Sequence, residues 1–382
     1  MAAPTRTALG TWSGGRFMHF GEPLDEARLT ALLRPDEHIR TVLTADAYGQ
    51  GDADRLLGRA LTGLERDDYV LVGAVGHDFY EGEREGARGF PRFTDPRLRG
   101  PDEYAAYLRA ATERSLERLG VESFDLLLLH NPDRTGYTSE AVWHGLAEVR
   151  AAGLTERLGV APGPANGFTL DLIECLERFG ALIDWAMVIL GPLEPWPGEL
   201  VLEAARAHDV SLVTRVVDYG GLFHDDLRPG TELERRDHRS FRPAGWIERG
   251  VERLERMRPI AERHGLTPLQ LACAWNLAHS GVECVVPTLI QEAGADARPV
   301  EAQRAELAAL PSELSLDAAE VAEIRAIGDN AGSMALKGAS PEHEGPAAPD
   351  RWPLSPELET LGRRFGIEPE RDLRRRPPAL AF

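Results

Sequence analysis

The stretch FDLLLLHNP, Phe124–Pro132, places four consecutive leucines directly before a histidine. Leucines at odd and even positions bury both faces of a strand, which is typical of a parallel sheet covered by helices. Short apolar runs of this kind recur along the chain, and each is followed by a segment that predicts a helix. The predicted strands are Arg40–Thr44, Tyr69–Val75, Phe124–His130, Arg157–Ala161, Asp184–Leu190, Ser211–Val216 and Glu283–Pro287, with Ala8–Thr11 as a weaker first strand.

Strict alternation of about eight strands with helices favours a closed α/β barrel over an open sheet, so the predicted fold class is a (β/α)8 TIM barrel. A doubly wound sheet is the alternative, and it wants a glycine-rich turn after its first strand. The turn at Gly49–Gly51 lacks the third glycine of that pattern. The long connections Tyr80–Pro101 and Asp218–Ala244 leave the C-terminal ends of strands, where barrel enzymes build their sites. Both are therefore expected to be pocket walls.

The barrel is predicted to span residues 1–330, and residues 331–382 are predicted to form a C-terminal extension. The first part of this tail is rich in Pro, Gly, Ala and charge. We therefore interpret Asp329–Asp350 as a linker. Ser355–Phe365 is expected to be a short helix docked on the surface of the barrel.

The composition excludes several kinds of partner. The chain has 43 Lys and Arg against 62 Asp and Glu, a net charge of −19, which repels phosphate backbones and anionic lipid. We therefore expect no nucleic-acid partner. We expect no membrane partner either, because a membrane span needs about 18 consecutive apolar residues and the sequence contains no such run. The N-terminus lacks a signal-peptide pattern, and Cys175, Cys273 and Cys284 share no CxxC spacing. A reducing cytoplasm is the expected location, and the oligomeric state is left open.

Tyr48 and His130 stand at strand ends where they could carry chemistry. Tyr48 lies just past the second predicted strand and just before a helix. A phenol has a pKa near 10, so catalysis by Tyr48 needs a neighbour that shifts or relays its proton. His130 closes the run of leucines, which places it either at the barrel mouth or in the core. Because both residues lie at the same end of a parallel barrel, together they favour a functional site.

The chain resembles the aldo-keto reductase superfamily in several stretches. ADAYGQGDADRLLGRAL, Ala45–Leu61, is similar to that family's DTAxxYGxGxSExxLG pattern, and SLERLGVESFDLLLLHNP, Ser115–Pro132, is similar to its SLxRLxxxxxDLxxxH pattern. The resemblance runs from about Leu9 to Ile327. It implies a TIM barrel and hydride transfer from NADPH to a carbonyl group. Shorter matches are LGTW (Leu9–Trp12), LGV (Leu158–Val160) and GPL (Gly191–Leu193).

The resemblance also implies catalytic roles for Tyr48 as proton donor and His130 as the residue that orients the carbonyl. The family's catalytic Asp and Lys have no counterpart, because Leu43 and Ala74 occupy those two positions. A buried Asp without its Lys would be an uncompensated charge, so the loss of both is physically coherent. Without a cation beside it, the Tyr48 phenol is expected to be a poorer acid.

The residues that would hold the cofactor also depart from the family pattern. Ala161–Pro162 stands where the family has Ser-Asn, Met187 where it has Gln, and Arg215 where it often has an aromatic residue. Arg298 and Arg304 are the remaining candidates for binding a 2′-phosphate, and the alternative is that both are solvated helix charges. NADP(H) is the cofactor that the resemblance implies.

Four residues are candidates for substrate binding: Trp12, His77, Arg215 and Tyr219. Core packing is the alternative for Trp12, and an exposed loop position is the favoured alternative for His77. A guanidinium at Arg215 suits a carboxylate, a phosphate or a sugar hydroxyl, or it pairs with a nearby acid. No metal site is expected, because metal-ligand spacing is absent from the polar group His224, Asp225, Asp226, Asp237 and His238.

Three functions are compatible with these observations. The first is an NADP-dependent oxidoreductase that acts on a carbonyl or hydroxyl group of a small polar substrate, sugar-like or anionic. The second is a non-redox lyase, epimerase or cyclase that uses Tyr48 and His130 as an acid–base pair. The third is a binding subunit without catalytic activity, since barrels host many functions.

Overall fold

Eight parallel strands follow one another around a barrel in the order β1 to β8. The computed structural model describes residues 3–86, 89–294, 296–313 and 316–376. A parallel bridge between Thr7 and Val285 joins the last strand to the first. The (β/α)8 TIM barrel predicted from the sequence is thereby confirmed. The strands are β1 Ala8–Gly10, β2 Thr41–Leu43, β3 Val70–Val75, β4 Phe124–His130, β5 Thr155–Ala161, β6 Trp185–Ile189, β7 Ser211–Arg215 and β8 Val282–Val286.

Helices cover the outside of the barrel through apolar stripes at helical spacing. In α2 the buried residues Ala53, Leu56, Leu57, Ala60 and Leu61 recur every three to four positions, so one face packs on the strands. Within the described ranges, no helix is long and apolar enough to cross a membrane. The helices are α1 Glu26–Leu33, α2 Asp52–Leu61, α3 Tyr104–Leu119, α4 Arg134–Thr138, α5 Glu140–Ala151, α6 Thr169–Phe179, α7 Leu202–Ala207, α8 Trp246–Arg263, α9 Pro268–Leu277, α10 Val300–Ala308, α11 Ala318–Ile327, α12 Pro356–Arg364 and α13 Pro369–Asp372.

The run of leucines in β4 is divided between two cores. Leu127 and Leu129 pack outward against the helices, whereas Leu126 and Leu128 point into the barrel. This alternation follows from the two-residue period of a strand, and it explains why every position in the run is apolar. Burial of each leucine contributes about 1.5–3 kcal/mol. The inner core consists of Ala8, Leu43, Ala45, Val72, Ala74, Leu126, Leu128, Ala161, Trp185, Met187, Val213, Cys284 and Val286.

The C-terminal extension packs on the barrel close to its mouth. Two short strands, β9 Gly338–Ser340 and β10 Arg351–Pro353, pair in parallel. The Asp171 carboxylate of α6 holds both, since it accepts the Ala339 backbone N–H at 2.9 Å and the Trp352 indole N–H at 2.6 Å. Helix α12 lies within the predicted Ser355–Phe365, and its Leu358 and Leu361 are buried.

The interpretation of Asp329–Asp350 as a linker needs correction, because β9 lies within it and is buried along its length. The composition suggested a linker, but this segment is ordered by contacts with residues that are distant in the sequence. Lys337 donates its backbone N–H to the Asn166 carbonyl at 3.0 Å and accepts from the Phe168 N–H at 2.9 Å. The boundary at residue 330 stays a prediction.

Candidate active site

The side chains of Tyr48 and His130 meet at the mouth of the barrel. His130 follows Leu128 by two positions on β4, so its ring faces the interior above the last apolar layer. Tyr48 begins a short turn after β2 and packs on the same inner core. The two ring centroids are 5.6 Å apart, with the rings nearly perpendicular. Trp12 adds a third ring, whose centroid is 6.4 Å from that of Tyr48.

The reactive atoms of these rings have no protein partner among the described residues. Nδ1 of His130 is buried and has no hydrogen bond among the described residues, and the residue as a whole is 7% exposed. Burial, followed by the charges of His77 and Arg215, holds the pKa of His130 well below its usual range. The ring is therefore neutral at pH 7. Because a buried N–H without a partner is costly, we assign the proton to Nε2 rather than to Nδ1.

Both ring nitrogens of His77 have hydrogen-bond partners within the protein. Its Nδ1 donates to the Phe90 carbonyl at 2.9 Å, and the Asn131 side-chain N–H donates to Nε2 at 3.1 Å. Burial, and then the Arg92 guanidinium, lower the pKa of His77 to about 4. With both nitrogens occupied, its ring packs edge-on against His130 at a centroid distance of 5.3 Å. The role of His77 in substrate binding stays a prediction.

Arg215 is the cation that acts on both candidate catalytic residues. It follows Val213 by two positions at the end of β7 and so points inward. Its Nη2 donates to the Pro162 carbonyl at 3.0 Å. Its charge lowers the pKa of Tyr48 against the larger raising effect of burial, and it helps to lower the pKa of His130.

The wall beneath Tyr48 is apolar. Leu43 and Ala74, which stand at the positions of the family's Asp and Lys, both belong to the inner core on which the phenol packs. Burial raises the pKa of Tyr48, and among the described residues Arg215 is the one charge that counteracts this effect. The phenol is therefore protonated at neutral pH.

The other predicted site residues are engaged elsewhere. Tyr219 lies under the Arg242 guanidinium, 4.1 Å from its ring centroid, and beside Trp246. Arg298 forms an ion pair with Glu306 at 2.8 Å. Within the polar group of the seventh loop, His224 bonds to the Thr288 carbonyl and Asp237 pairs with Arg239. Arg304 donates to Asp36 and to the carbonyls of Leu32 and Arg34.

Three residues that the sequence did not reveal support the rim. The Arg92 Nε donates to the Asn131 carbonyl at 2.7 Å, and its Nη2 pairs with Asp350 of the extension at 2.6 Å. Asn131 in turn holds His77, so a chain of contacts runs from the extension to His130. Asn131 adjoins His130 in the sequence, which is a weak signal. The pairing of Arg92 with Asp350 has no local signal, because the two lie 258 residues apart.

Comparison with known proteins agrees with this geometry. The Aldo/keto reductase family model matches residues 8–328, and the chain belongs to that family. A D-threo-aldose 1-dehydrogenase from a Pseudomonas species is 29% identical over 174 residues, which are 41% of this chain and 52% of that protein. A probable aldo-keto reductase 1 from Glycine max is 26% identical over 253 residues, 64% of either chain. The matches thus span about half to two thirds of these relatives.

Solved structures share the fold. A glycerol dehydrogenase from Gluconobacter oxydans has a TM-score of 0.65 at 24% identity, over 86% of this chain and 92% of that chain. An aldo/keto reductase from Klebsiella pneumoniae, solved with NADP and acetate, has a TM-score of 0.56 at 21% identity, over 85% and 92%. At these identities the likeness shows the fold alone.

Proposed function

We propose that this protein is an oxidoreductase that acts on a carbonyl or hydroxyl group of a small polar substrate, sugar-like or anionic. Tyr48 is the proton donor and His130 orients the carbonyl. One observation carries the proposal: the rings of Tyr48 and His130 lie 5.6 Å apart, at the ends of β2 and β4 on the same side of the barrel. The aldose and glycerol dehydrogenases among the similar proteins support a hydroxylated substrate.

The two side chains have complementary roles in carbonyl reduction. A neutral His130 donates a hydrogen bond from Nε2 to the carbonyl oxygen and fixes its direction. Tyr48, protonated because burial raises its pKa, gives its proton to the same oxygen as negative charge develops there. Since only Arg215 assists the phenol, we expect slower proton transfer than a lysine neighbour would allow.

NADP(H) is the redox partner that the relatives support, including the Klebsiella pneumoniae protein solved with NADP. The backbone after β8 does not fit its phosphates in the arrangement described. The Thr288 N–H donates to Asp218 at 2.7 Å, and the Leu289 N–H donates to Ser13 at 3.1 Å. These amides are therefore already satisfied within the protein.

The other donors near this loop are also already paired within the protein. The Ile290 N–H donates to Gln303 at 2.9 Å, and the guanidinium groups of Arg298 and Arg304 are paired with Glu306 and Asp36. A dinucleotide must displace some of these bonds, and each displaced bond weakens binding.

The first experiment titrates the purified chain with NADPH and records the nicotinamide fluorescence. The proposal expects a saturable change below about 1 mM. A panel of small aldehydes, ketones and aldoses is then reduced, with Tyr48→Phe as the variant. Loss of the proton donor should lower kcat by about 10²- to 10⁴-fold and leave NADPH binding unchanged. The proposal is contradicted if the Tyr48→Phe variant turns over at the wild-type rate, or if the chain does not bind NADPH.

A second candidate is a non-redox enzyme that uses Tyr48 and His130 as an acid–base pair. The satisfied amides after β8 favour it, as does the apolar wall at Leu43 and Ala74. Turnover that needs Tyr48 and does not need added nicotinamide would identify this function. We also propose a cytoplasmic location, which the free and buried state of all three cysteines supports.

A further inference from the structure

The guanidinium of Arg215, which is partly buried, differs in its surroundings from other buried or partly buried arginines. Among the residues that the structure describes, no carboxylate lies within 4.0 Å of it. Glu194, the carboxylate whose charge raises its pKa, is committed to Arg242 and to Asn166. By contrast, each of the following arginines has a carboxylate at 3.2 Å or less: Arg92, Arg99, Arg118, Arg239 and Arg242.

The hydrogen bonds of Arg215 are also incomplete. A guanidinium has five N–H donors, and the one hydrogen bond recorded for Arg215 within the described ranges goes to the Pro162 carbonyl. Withdrawal of this charge from water lowers its pKa, and no ion pair compensates. In a chain with a net charge of −19, a desolvated cation without an acid partner indicates a position that a ligand fills.

The space beside Arg215 is kept free by a glycine. A Cβ on Gly163 would lie 2.9 Å from Nη2 of Arg215 and would collide with the side-chain oxygen of Asn131. Any other residue would therefore crowd the guanidinium from the side of β5. The side of the Arg215 guanidinium that acts on Tyr48 and His130 is therefore free to contact a molecule bound at the barrel mouth.

We infer that the substrate carries a carboxylate, which binds the Arg215 guanidinium while its carbonyl or hydroxyl oxygen meets Tyr48 and His130. The substrate class is therefore an oxo acid or the corresponding hydroxy acid. This inference rests on the proposed function, because it places the reacting oxygen at that pair. The planar fork of Arg215 matches a carboxylate in two parallel hydrogen bonds.

A carboxylate suits the local charge better than a phosphate does. Arg215 contributes one positive charge, and Arg92, the second guanidinium that acts on His130, is neutralised by Asp350. A phosphate monoester brings more negative charge than this single cation compensates. One carboxylate balances it.

The experiment measures binding without turnover, through the fluorescence of Trp12 at the mouth. The probes are 2-oxobutyrate, acetoacetate and levulinate, which place the carboxylate progressively farther from the carbonyl, each beside its neutral amide. Inorganic phosphate is the competing anion. A Trp12→Phe variant identifies the part of the signal that comes from the mouth.

We expect at least one oxo acid to bind about 10- to 100-fold more tightly than its amide, because a charge-assisted pair replaces a neutral contact. Arg215→Gln should remove this preference, and Arg215→Lys should restore part of it. Arg206→Gln, which removes an exposed arginine of α7, should leave the preference unchanged.

Equal binding of acids and amides, or a preference that survives in Arg215→Gln, would overturn the inference. Tighter binding of phosphate than of every oxo acid would overturn the carboxylate assignment, and so would no binding of any probe. Reduction of neutral carbonyls that depends on Tyr48 would leave the proposed function standing in each of these cases. Arg215-dependent binding of the acids with no turnover would instead refute the proposed function alone.

Discussion

Trp352 is the residue whose removal should detach the C-terminal extension from the barrel. It lies on β10, is 4% exposed, and donates its indole N–H to Asp171 at 2.6 Å. Its ring packs against Phe168 and Tyr137, with centroid distances of 5.9 and 6.5 Å. Because the same carboxylate also holds the Ala339 N–H, one anchor joins both strands of the extension to α6.

The expected cost follows from burial and from the lost hydrogen bond. Truncation of a buried aromatic side chain to alanine costs about 3–5 kcal/mol. The unsatisfied oxygen of Asp171 adds about 1–3 kcal/mol, although Arg134 still contacts that oxygen and reduces this cost. We therefore expect Trp352→Ala to lose about 4–6 kcal/mol. Trp352→Phe keeps most of the ring and should lose about 1–3 kcal/mol.

Urea unfolding and limited trypsin digestion measure this effect together. Digestion should accelerate in Trp352→Ala at the arginines of the extension, such as Arg363, Arg364 and Arg371, if the detached segment opens. Phe241→Ala, which removes an aromatic ring that is 83% exposed, is the matched control and should stay within about 0.5 kcal/mol of wild type. A Trp352→Ala protein with wild-type stability and digestion rate would refute the anchoring role.

Three further predictions concern charged and titratable groups. Asp46→Asn should raise the melting temperature at pH 7 but not below about pH 4. Burial, followed by the charge of Asp54, raises the pKa of the Asp46 carboxyl, so the fold increasingly disfavours its ionised form as pH increases. A difference independent of pH would contradict this reason. Asp350→Asn should lower the free energy of unfolding by about 2 kcal/mol, as measured in urea, because Arg92 stays buried without its partner. An unchanged urea midpoint would show that this ion pair contributes nothing to stability. Carbonyl reduction should have its basic limb above about pH 10, since burial raises the pKa of Tyr48; a limb near pH 8 in a kcat profile would assign the proton to another group.

The barrel could be predicted because its signal is local. Each strand is a short run that is apolar on both faces, as Phe124–His130 shows, and its bounds in the structure are those predicted. Other bounds shifted by a few residues, as in β5, which begins at Thr155 rather than Arg157. The exposed Glu156 interrupts the apolar pattern there, while backbone pairing with β4 extends the strand.

The extension could not be predicted because its order depends on contacts that are distant in the sequence. Strands β9 and β10 have three residues each, too few to show an alternating pattern. Their stability comes from Asp171, which lies 168 residues before Ala339. A segment rich in Pro, Gly and charge therefore reads as a linker until its partners are known.

The reactive residues of the candidate site could be predicted from the sequence, whereas the contacts that hold them in place could not. Tyr48 and His130 could be placed together because parallel strands end at the same face of a barrel. The tautomer of His77 could not be predicted, since it depends on hydrogen bonds with the Phe90 carbonyl and the Asn131 amide. Such contacts are set by loop conformations that no periodic pattern encodes.

The distribution of charge around Tyr48 gives the site its character. The family's lysine would lie at Ala74, within the inner core beneath the phenol, whereas the cation of this chain lies at the rim on Arg215. A cation beneath the ring acts on the phenol alone, but a cation at the rim can also contact whatever occupies the mouth. If a bound carboxylate neutralises Arg215, the phenol loses its one counteracting charge and its pKa rises further. Anionic substrates should thus bind well and be protonated slowly, and Arg215→Gln should weaken their binding more than it lowers kcat.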